Sequence, residues 1–521
     1  MNYGRRVIVL IILLSALRLL VSSLLDLGND ESYYWAYSQH LQWNYFDHPP
    51  MVAIWIRVFT INLKLQEHVE FLRLGGIAGC AISTWFMFRC VTELVNEKAG
   101  WYAACLYNAS FYAGITAGIF IMPDTPEMVF WTFSMWMIIK ICRDDSRWIP
   151  WILFGIGSGL CIMSKVHGVF LWAGLGLYIL FVKREWLRNP RLYCAVILTA
   201  LIISPILIWN INNDFVTFRF HSERVGANGS GIQWYGLLHE GIGQFLINNP
   251  VNVAIMFIAL VFQRKSMLRK RDALTIFKLI SIPLILAILL IAISRQTLPH
   301  WSGPAYIALV PVASAWLAVR KKYKVWLQWH NISLGAYILF LITCTATILF
   351  YPGTFGLKSE ANLGHGDLTL DNFGWKRAGK QFTELYQNDI RNGVVEIGTP
   401  VVCNKWWGAH LEYNFCLPSG VTMIGLGPIN ELHQYLWLNG LRKNKVNFNS
   451  AYCIVPSLDR YDAKEKFGDY YDSIDSLSVI RIFRNDQHVM DFFIYRLHGW
   501  KRNLPTVEGA LQRHPDIRGA Y

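Results

Sequence analysis

Only 16% of the 521 residues are charged, so the places where acids and bases gather stand out. Asp30 and Glu31 follow the first apolar run, and Phe46-Asp47-His48-Pro49-Pro50 lies in the same polar stretch. Asp124 sits in Met122-Pro123-Asp124-Thr125-Pro126. Lys165 and His167 share one short run, His221, Glu223 and Arg224 another, and Arg295, His300 and Trp301 a third. Each has a plain reading alone. Asp30-Glu31 would be a solvated helix end, Asp47-His48 before two prolines a turn, and Asp124 a helix N-cap. Lys165 and Arg295 would be snorkelling cations, and His167 a satisfied interfacial histidine.

Taken together the set offers a chemistry. A carboxylate at a membrane surface can act as general base on a hydroxyl. Cations beside it can hold a phosphate and stabilise its charge as it leaves. Phosphate is a weakly basic leaving group, so no general acid is required. Carboxylates with histidine could instead bind a divalent metal (Mg, Mn or Zn) that holds the phosphate. Tyrosine and tryptophan rings suit both sugar faces and lipid headgroups. The combination fits glycosyl transfer from a polyprenyl-phosphate sugar at one face of a membrane.

Those residues must be positioned by a membrane bundle. The chain is 54% hydrophobic, with mean hydropathy +0.30. The runs 7–25, 71–88, 100–118, 126–141, 148–163, 166–182, 192–209, 250–262, 273–293, 301–319 and 326–350 predict eleven spans, for which about 20 apolar residues suffice. This is a polytopic α-helical membrane protein, not a secreted enzyme, a disordered scaffold or a cytosolic nucleic-acid binder. The net charge of +13 reflects topology. Twenty Lys/Arg fall in Arg5/Arg6 and in 89–98, 140–147, 183–191, 264–271 and 320–324; six (Arg57, Lys64, Lys165, Arg219, Arg224, Arg295) fall on the opposite side. The positive-inside rule makes the N-terminus cytoplasmic, and eleven crossings place the tail outside. All the acid/base segments then share the outer face. The first run reads as an uncleaved helix, within which Arg18 is expected to snorkel or pair. The outer segments 26–70 and 210–249, rich in Trp and Tyr, read as interfacial helices.

The tail, with 19 Lys/Arg against 18 Asp/Glu, is balanced. Segments 394–406, 449–457 and 477–484 read as strands, and 374–389 and 427–443 as helices. The division is a membrane domain, 1–351, and an external α/β domain, 352–521, with a supporting or acceptor-facing role and no catalytic signature. Cys403 and Cys416 could form a disulfide in an oxidising compartment. The alternative function is a transporter or flippase of a lipid-linked or anionic solute. It would place charges along a route through the bundle and repeat symmetry between halves; the sequence displays neither.

The stretch from Asp30 to Arg57, DESYYWAYSQHLQWNYFDHPPMVAIWIR, resembles the first outer loop of GT-C membrane glycosyltransferases. The similarity is to the protein O-mannosyltransferase and bacterial lipid A aminoarabinose-transferase group; PDTPEMVFWT, SKVHGVF and LPHWSGPAY fit the same group over roughly residues 1–350. The resemblance implies a GT-C fold with a periplasmic cavity, in a bacterial inner membrane. It implies an undecaprenyl-phosphate sugar donor, a lipid A, core or other envelope acceptor, membrane-lipid contacts, and inversion at the sugar. Asp30 would be the general base with Glu31 beside it, Asp124 the further cavity acid, and Asp47 the acid that takes part in metal binding. Lys165 would contact the donor phosphate, and His48 falls where some relatives carry a phosphate-binding lysine. Arg224, Arg295 and His300 are assigned to the donor phosphate by their charge and their face.

Overall fold

The computed structural model describes residues 2–226, 234–262, 271–319 and 324–509. Each of the eleven predicted apolar segments contains a helix among the described residues, and the 100–118 segment breaks at Ser110 before a π-helical turn. The helices are α1 (Tyr3–Leu24), α4 (Val69–Leu94), α5 (Glu97–Ala109), α6 (Asp124–Arg143), α7 (Trp148–Ser164), α8 (Val169–Phe181), α9 (Pro190–Ile211), α12 (Pro250–Val261), α13 (Arg271–Ala292), α14 (Gly303–Val319) and α15 (Lys324–Phe350). Between them lie shorter helices outside the long runs: α2 (Asn29–Gln39), α3 (Met51–Phe59), α10 (Val216–Val225) and α11 (Trp234–Ile247). At 11 and 9 residues, α2 and α3 are too short to cross a bilayer. They are the helices expected in the first outer loop.

Among the described residues, six helices are long and apolar enough to span a membrane. The α11–α12 pair makes a seventh only as a broken element, bent by 99°. Asn249 forces that bend. It adopts φ 65°, and its side-chain amide donates to the carbonyls of Ala109 and Ser333. The α7–α8 break falls where two short helices were predicted, and it leaves Lys165 at the C-terminal end of α7. Of the basic clusters, 264–270 and 320–323 lie outside the described residues.

Helix α14 is the inner post of the bundle. Its span is 83% buried, whereas those of α1 and α9 are 28% and 17% buried and turn apolar side chains outward. Arg18 pairs within the bundle, as one of its two expected fates. Its Nε donates to Gly114 O at 3.0 Å and its Nη2 to Asn108 Oδ1 at 3.0 Å. Gly114 belongs to a π-helical turn, Tyr112–Thr116. Such turns free carbonyls from the helical ladder, and the guanidinium satisfies one. The turn delivers Tyr112 to Asp124.

The C-terminal domain is built on a five-stranded sheet of order β2-β1-β3-β5-β4. Strands β1 (Val401–Cys403), β2 (Met423–Gly425) and β3 (Ser450–Pro456) are parallel; β4 (Tyr471–Arg484) and β5 (Gln487–Trp500) pair antiparallel. Helix α16 (Trp375–Arg391) covers it with an apolar face that includes Trp375 and Phe382. Asn485 and Asp486, both at positive φ, make the two-residue hairpin turn. Next to it, fully buried Arg484 pairs with Asp367 (3.2 Å) and donates to the carbonyls of Ile348 and Gly353, tying the hairpin to the end of α15. Cys403 and Cys416 are free thiols.

Candidate active site

The site begins where α1 turns into α2. Asp30 and Glu31 occupy the first turn of α2, about 100° apart around the helix axis, and meet different surroundings. Glu31 is buried and fully engaged. Arg73 of α4 grips it with Nε to Oε1 (2.8 Å) and Nη2 to Oε2 (2.6 Å), while the backbone N–H groups of Gly28 (2.9 Å) and Ile121 (3.1 Å) donate to the remaining lone pairs. The same guanidinium takes the carbonyls of Ser22, Leu25 and Asp26. Glu31 therefore locks α1, α2, α4 and the 121 loop together and has no lone pair left for substrate. Its sequence-based assignment beside the base is corrected to a positioning role on this ground.

Asp30 has no hydrogen bond or ion pair among the described residues. Solvent reaches its carboxylate. The dense surrounding protein, and next the charges of Asp47, Glu31 and Asp124, push its pKa up to about 6 against the opposing pull of Lys165.

Asp47 lies 17 residues on, held between aromatic side chains. Tyr37 and Tyr33 donate their phenols to Oδ1, the latter at 3.4 Å, and Tyr37 is stacked on Tyr45 at 4.0 Å. Burial raises Asp47 to about 6, opposed by the Tyr37 bond and by Arg224. His221 Nε2 donates to the Asp47 carbonyl at 2.8 Å, and burial holds its pKa near 4. His48 packs edge-on against Tyr34 and is driven well below the usual histidine range, by burial first. Both imidazoles are neutral near pH 7.

The third part comes from the bundle. Asp124, wholly buried, opens α6 and receives Lys165 Nζ on both oxygens at 2.9 Å, with Tyr112 OH on Oδ1 at 2.9 Å. Tyr112 is pinned by Gly303 at the start of α14, where any Cβ would strike the ring at 2.4 Å. His167 Nδ1 lies 3.6 Å from buried Glu127. His300 is within electrostatic range of Asp124, Lys165 and Arg224. Arg224 lies over the rings of Trp301 (5.0 Å) and Phe220 (5.3 Å). Arg295 Nε donates to the Gly226 carbonyl at 2.8 Å, at the end of α10.

Asp30, Asp47, His48, Asp124, Lys165, Arg224 and His300 thus form one cluster. Glu31 and Arg295 frame it. Tyr37, Tyr112, Arg73 and Glu127 were not singled out by sequence reasoning; Glu127 alone carried a signal, as a second acid one helical turn after Asp124. No group of three or more His, Cys, Asp or Glu among the described residues is arranged to hold a metal ion. Asp47 accepts both phenols on Oδ1.

A helical bundle of this order, with its acids and cations at one face and an α/β cap, is the architecture of GT-C membrane glycosyltransferases, and the chain has that fold and resembles members of that group in sequence. The family model for dolichyl-phosphate-mannose-protein mannosyltransferase matches residues 47–209. Lipid A galacturonosyltransferase RgtD of Rhizobium johnstonii is 24% identical over 351 residues, 67% of this chain and 70% of that protein. The structure of ArnT from Cupriavidus metallidurans bound to undecaprenyl phosphate superposes with a TM-score of 0.60 at 14% identity, covering 93% of this chain and 97% of that one. Its apo state gives 0.56 over the same coverage.

Proposed function

We propose that this chain transfers a sugar from an undecaprenyl-phosphate-type donor to a hydroxyl of lipid A, core or another envelope acceptor at the periplasmic face of the bacterial inner membrane. The observation that carries this reading is the contrast within one cluster: an unpaired, solvent-reachable carboxylate, Asp30, beside the cations Lys165 and Arg224. The named relatives, a lipid A galacturonosyltransferase and an ArnT holding undecaprenyl phosphate, support the donor and acceptor classes. The lopsided Lys/Arg distribution supports a cytoplasmic N-terminus, eleven crossings and a periplasmic 352–521 domain.

Asp30 takes the acceptor hydroxyl proton as that oxygen attacks the anomeric carbon. The bond from that carbon to the phosphate oxygen breaks, and the polyprenyl phosphate leaves with the electron pair. Lys165 spends two N–H donors on Asp124, which leaves a third for the departing phosphate. Arg224 and the neutral His48 and His300 supply further donors. One displacement inverts the sugar centre. Asp47 sits behind this line, keeping the first loop folded over the site through Tyr33 and Tyr37.

Reconstitution in proteoliposomes with polyprenyl-phosphate sugars and lipid A tests the reading. Donor-dependent labelling of the lipid is expected. Donor-independent movement of lipid-linked sugar without transfer would overturn it.

A further inference from the structure

The C-terminal domain meets the first outer loop along one seam, and that seam lies against Asp30. Both oxygens of Asp371 accept the backbone N–H of Asn29, the first residue of α2, at 3.2 and 3.3 Å. Asn372 pairs twice with Asp26: its carbonyl accepts the Asp26 N–H and its side-chain amide donates to the Asp26 carbonyl, both at 3.0 Å. His410, in the short helix α17 (Gly408–Leu411), stacks on Trp375 at 3.6 Å and donates from Nε2 to the Leu27 carbonyl at 2.7 Å. Gly28 permits this approach. A Cβ there would lie 2.9 Å from Asp371 Oδ2 and 3.0 Å from Asn372 Nδ2.

The first N–H groups of a helix have no partner within it and need an acceptor from elsewhere. Helix α2 has no side-chain cap of its own at Gly28. It takes its acceptor from a residue 342 positions later. We propose that Asp371 is a positioning residue for Asp30. It caps α2 from the C-terminal domain, fixes the turn that aims the Asp30 carboxylate, and places a second negative charge beside it. The inference rests on Asp30 being the general base.

Charge at the seam follows from the groups that face it. Asp30 is faced by Glu31, Asp47, Asp124 and Lys165. Asp371 is faced by Asp30, Glu31 and Arg73, and by His410 with Nδ1 at 3.9 Å. Burial keeps that imidazole neutral, near 3. Burial and then the charge of Asp30 push Asp371 up to about 7. As pH rises, Asp30 loses its proton near 6 and Asp371 near 7. The second charge makes Asp30 a stronger base and strengthens the cap at the positive end of the α2 dipole.

Steady-state kinetics of the full-length chain in proteoliposomes, across pH, with wild type, Asp371→Ala, Asp371→Asn and Asp30→Asn, tests this. Asp371→Ala is expected to lower kcat about 10-fold, part of the roughly 10²-fold that a 1 Å misplacement of a catalytic group can cost, with donor KM unchanged because the donor-holding cations lie elsewhere. Asp371→Asn keeps an acceptor oxygen and recovers most of kcat, and both variants lose the inflection near pH 7. An Asp371→Ala kcat equal to wild type, or an Asp371→Asn profile that retains the inflection, overturns the proposal. Asp30→Asn separates the two readings. Its inactivity together with indifferent Asp371 variants removes the positioning role alone; its full activity removes the base assignment on which that role rests.

Discussion

The bundle side and the loop side of the site treat charge in opposite ways. On the bundle side two acids sit in tight ion pairs, Glu31 with Arg73 at 2.6 Å and Asp124 with Lys165 at 2.9 Å, and Glu127 Oε1 lies 3.6 Å from His167 Nδ1. The two ion pairs are out of water and survive because geometry and hydrogen bonds compensate them. On the loop side Asp30 stands without a partner and Asp47 has only phenols, so both hold their protons up to about 6. The paired charges build the frame. The unpaired ones retain proton affinity, which on the proposed reading Asp30 spends on the acceptor hydroxyl.

Asp30→Asn should break this contrast most severely. Losing the general base is expected to lower turnover about 10²- to 10⁴-fold with the donor still bound, read as single-turnover rates against donor affinity. Next comes Arg73→Ala, which strands a buried Glu31 carboxylate and three carbonyls. It should cost about 3–5 kcal/mol of stability, measured by thermal unfolding in detergent. An Arg73→Met variant in a Glu31→Met background should lose less than the two single changes summed, because the stranded charge is gone. Strict additivity would remove the framing role.

How far the sequence reveals this contrast depends on distance along the chain. Asp30, Asp47, Asp124 and Lys165 were legible as scarce charges at the ends of apolar runs, and the resemblance sharpened their roles. The eleven helical segments were legible because apolar length is a local property. Three features were not. Glu31 differs from Asp30 only through Arg73, 42 residues away, and Ile121, 90 away. Asp371 carries no local motif and acts only through its docking onto α2. Strand β5 mixes polar and apolar residues out of strict alternation, since it is an interior strand paired with β3 and β4, and sequence reading passed over it.

Tyr37→Phe probes the loop side alone. It removes the shorter phenol bond to Asp47, a hydrogen bond to an ionised group worth about 1.5–3 kcal/mol. That bond lowers the proton affinity of Asp47, so its loss moves the titration of Asp47 to higher pH. If ionised Asp47 keeps the loop closed, the acid limb of the activity profile shifts upward with it. An unmoved limb would show that Asp47 does not control the loop.

The smallest effect concerns stability, and its sign separates the two neighbours. The native state keeps a proton on Asp30 up to about 6, above the usual aspartate value near 3.9 that the unfolded chain would show. Between those values the native state binds the extra proton, so stability is lost as pH rises through that window, and above it the full cost remains. Solvent reaches Asp30, so the cost is well under about 1 kcal/mol after screening. Asp30→Asn removes it. The inactive variant should therefore unfold slightly above wild type near neutral pH, with the advantage vanishing in acid where both states of wild type carry the proton. Glu31→Gln should do the reverse, unfolding below wild type because Arg73 is left buried without its counter-charge. Matched melting curves for the two variants at neutral pH would mean that the adjacent acids share one role, and the division between frame and working charge would fall.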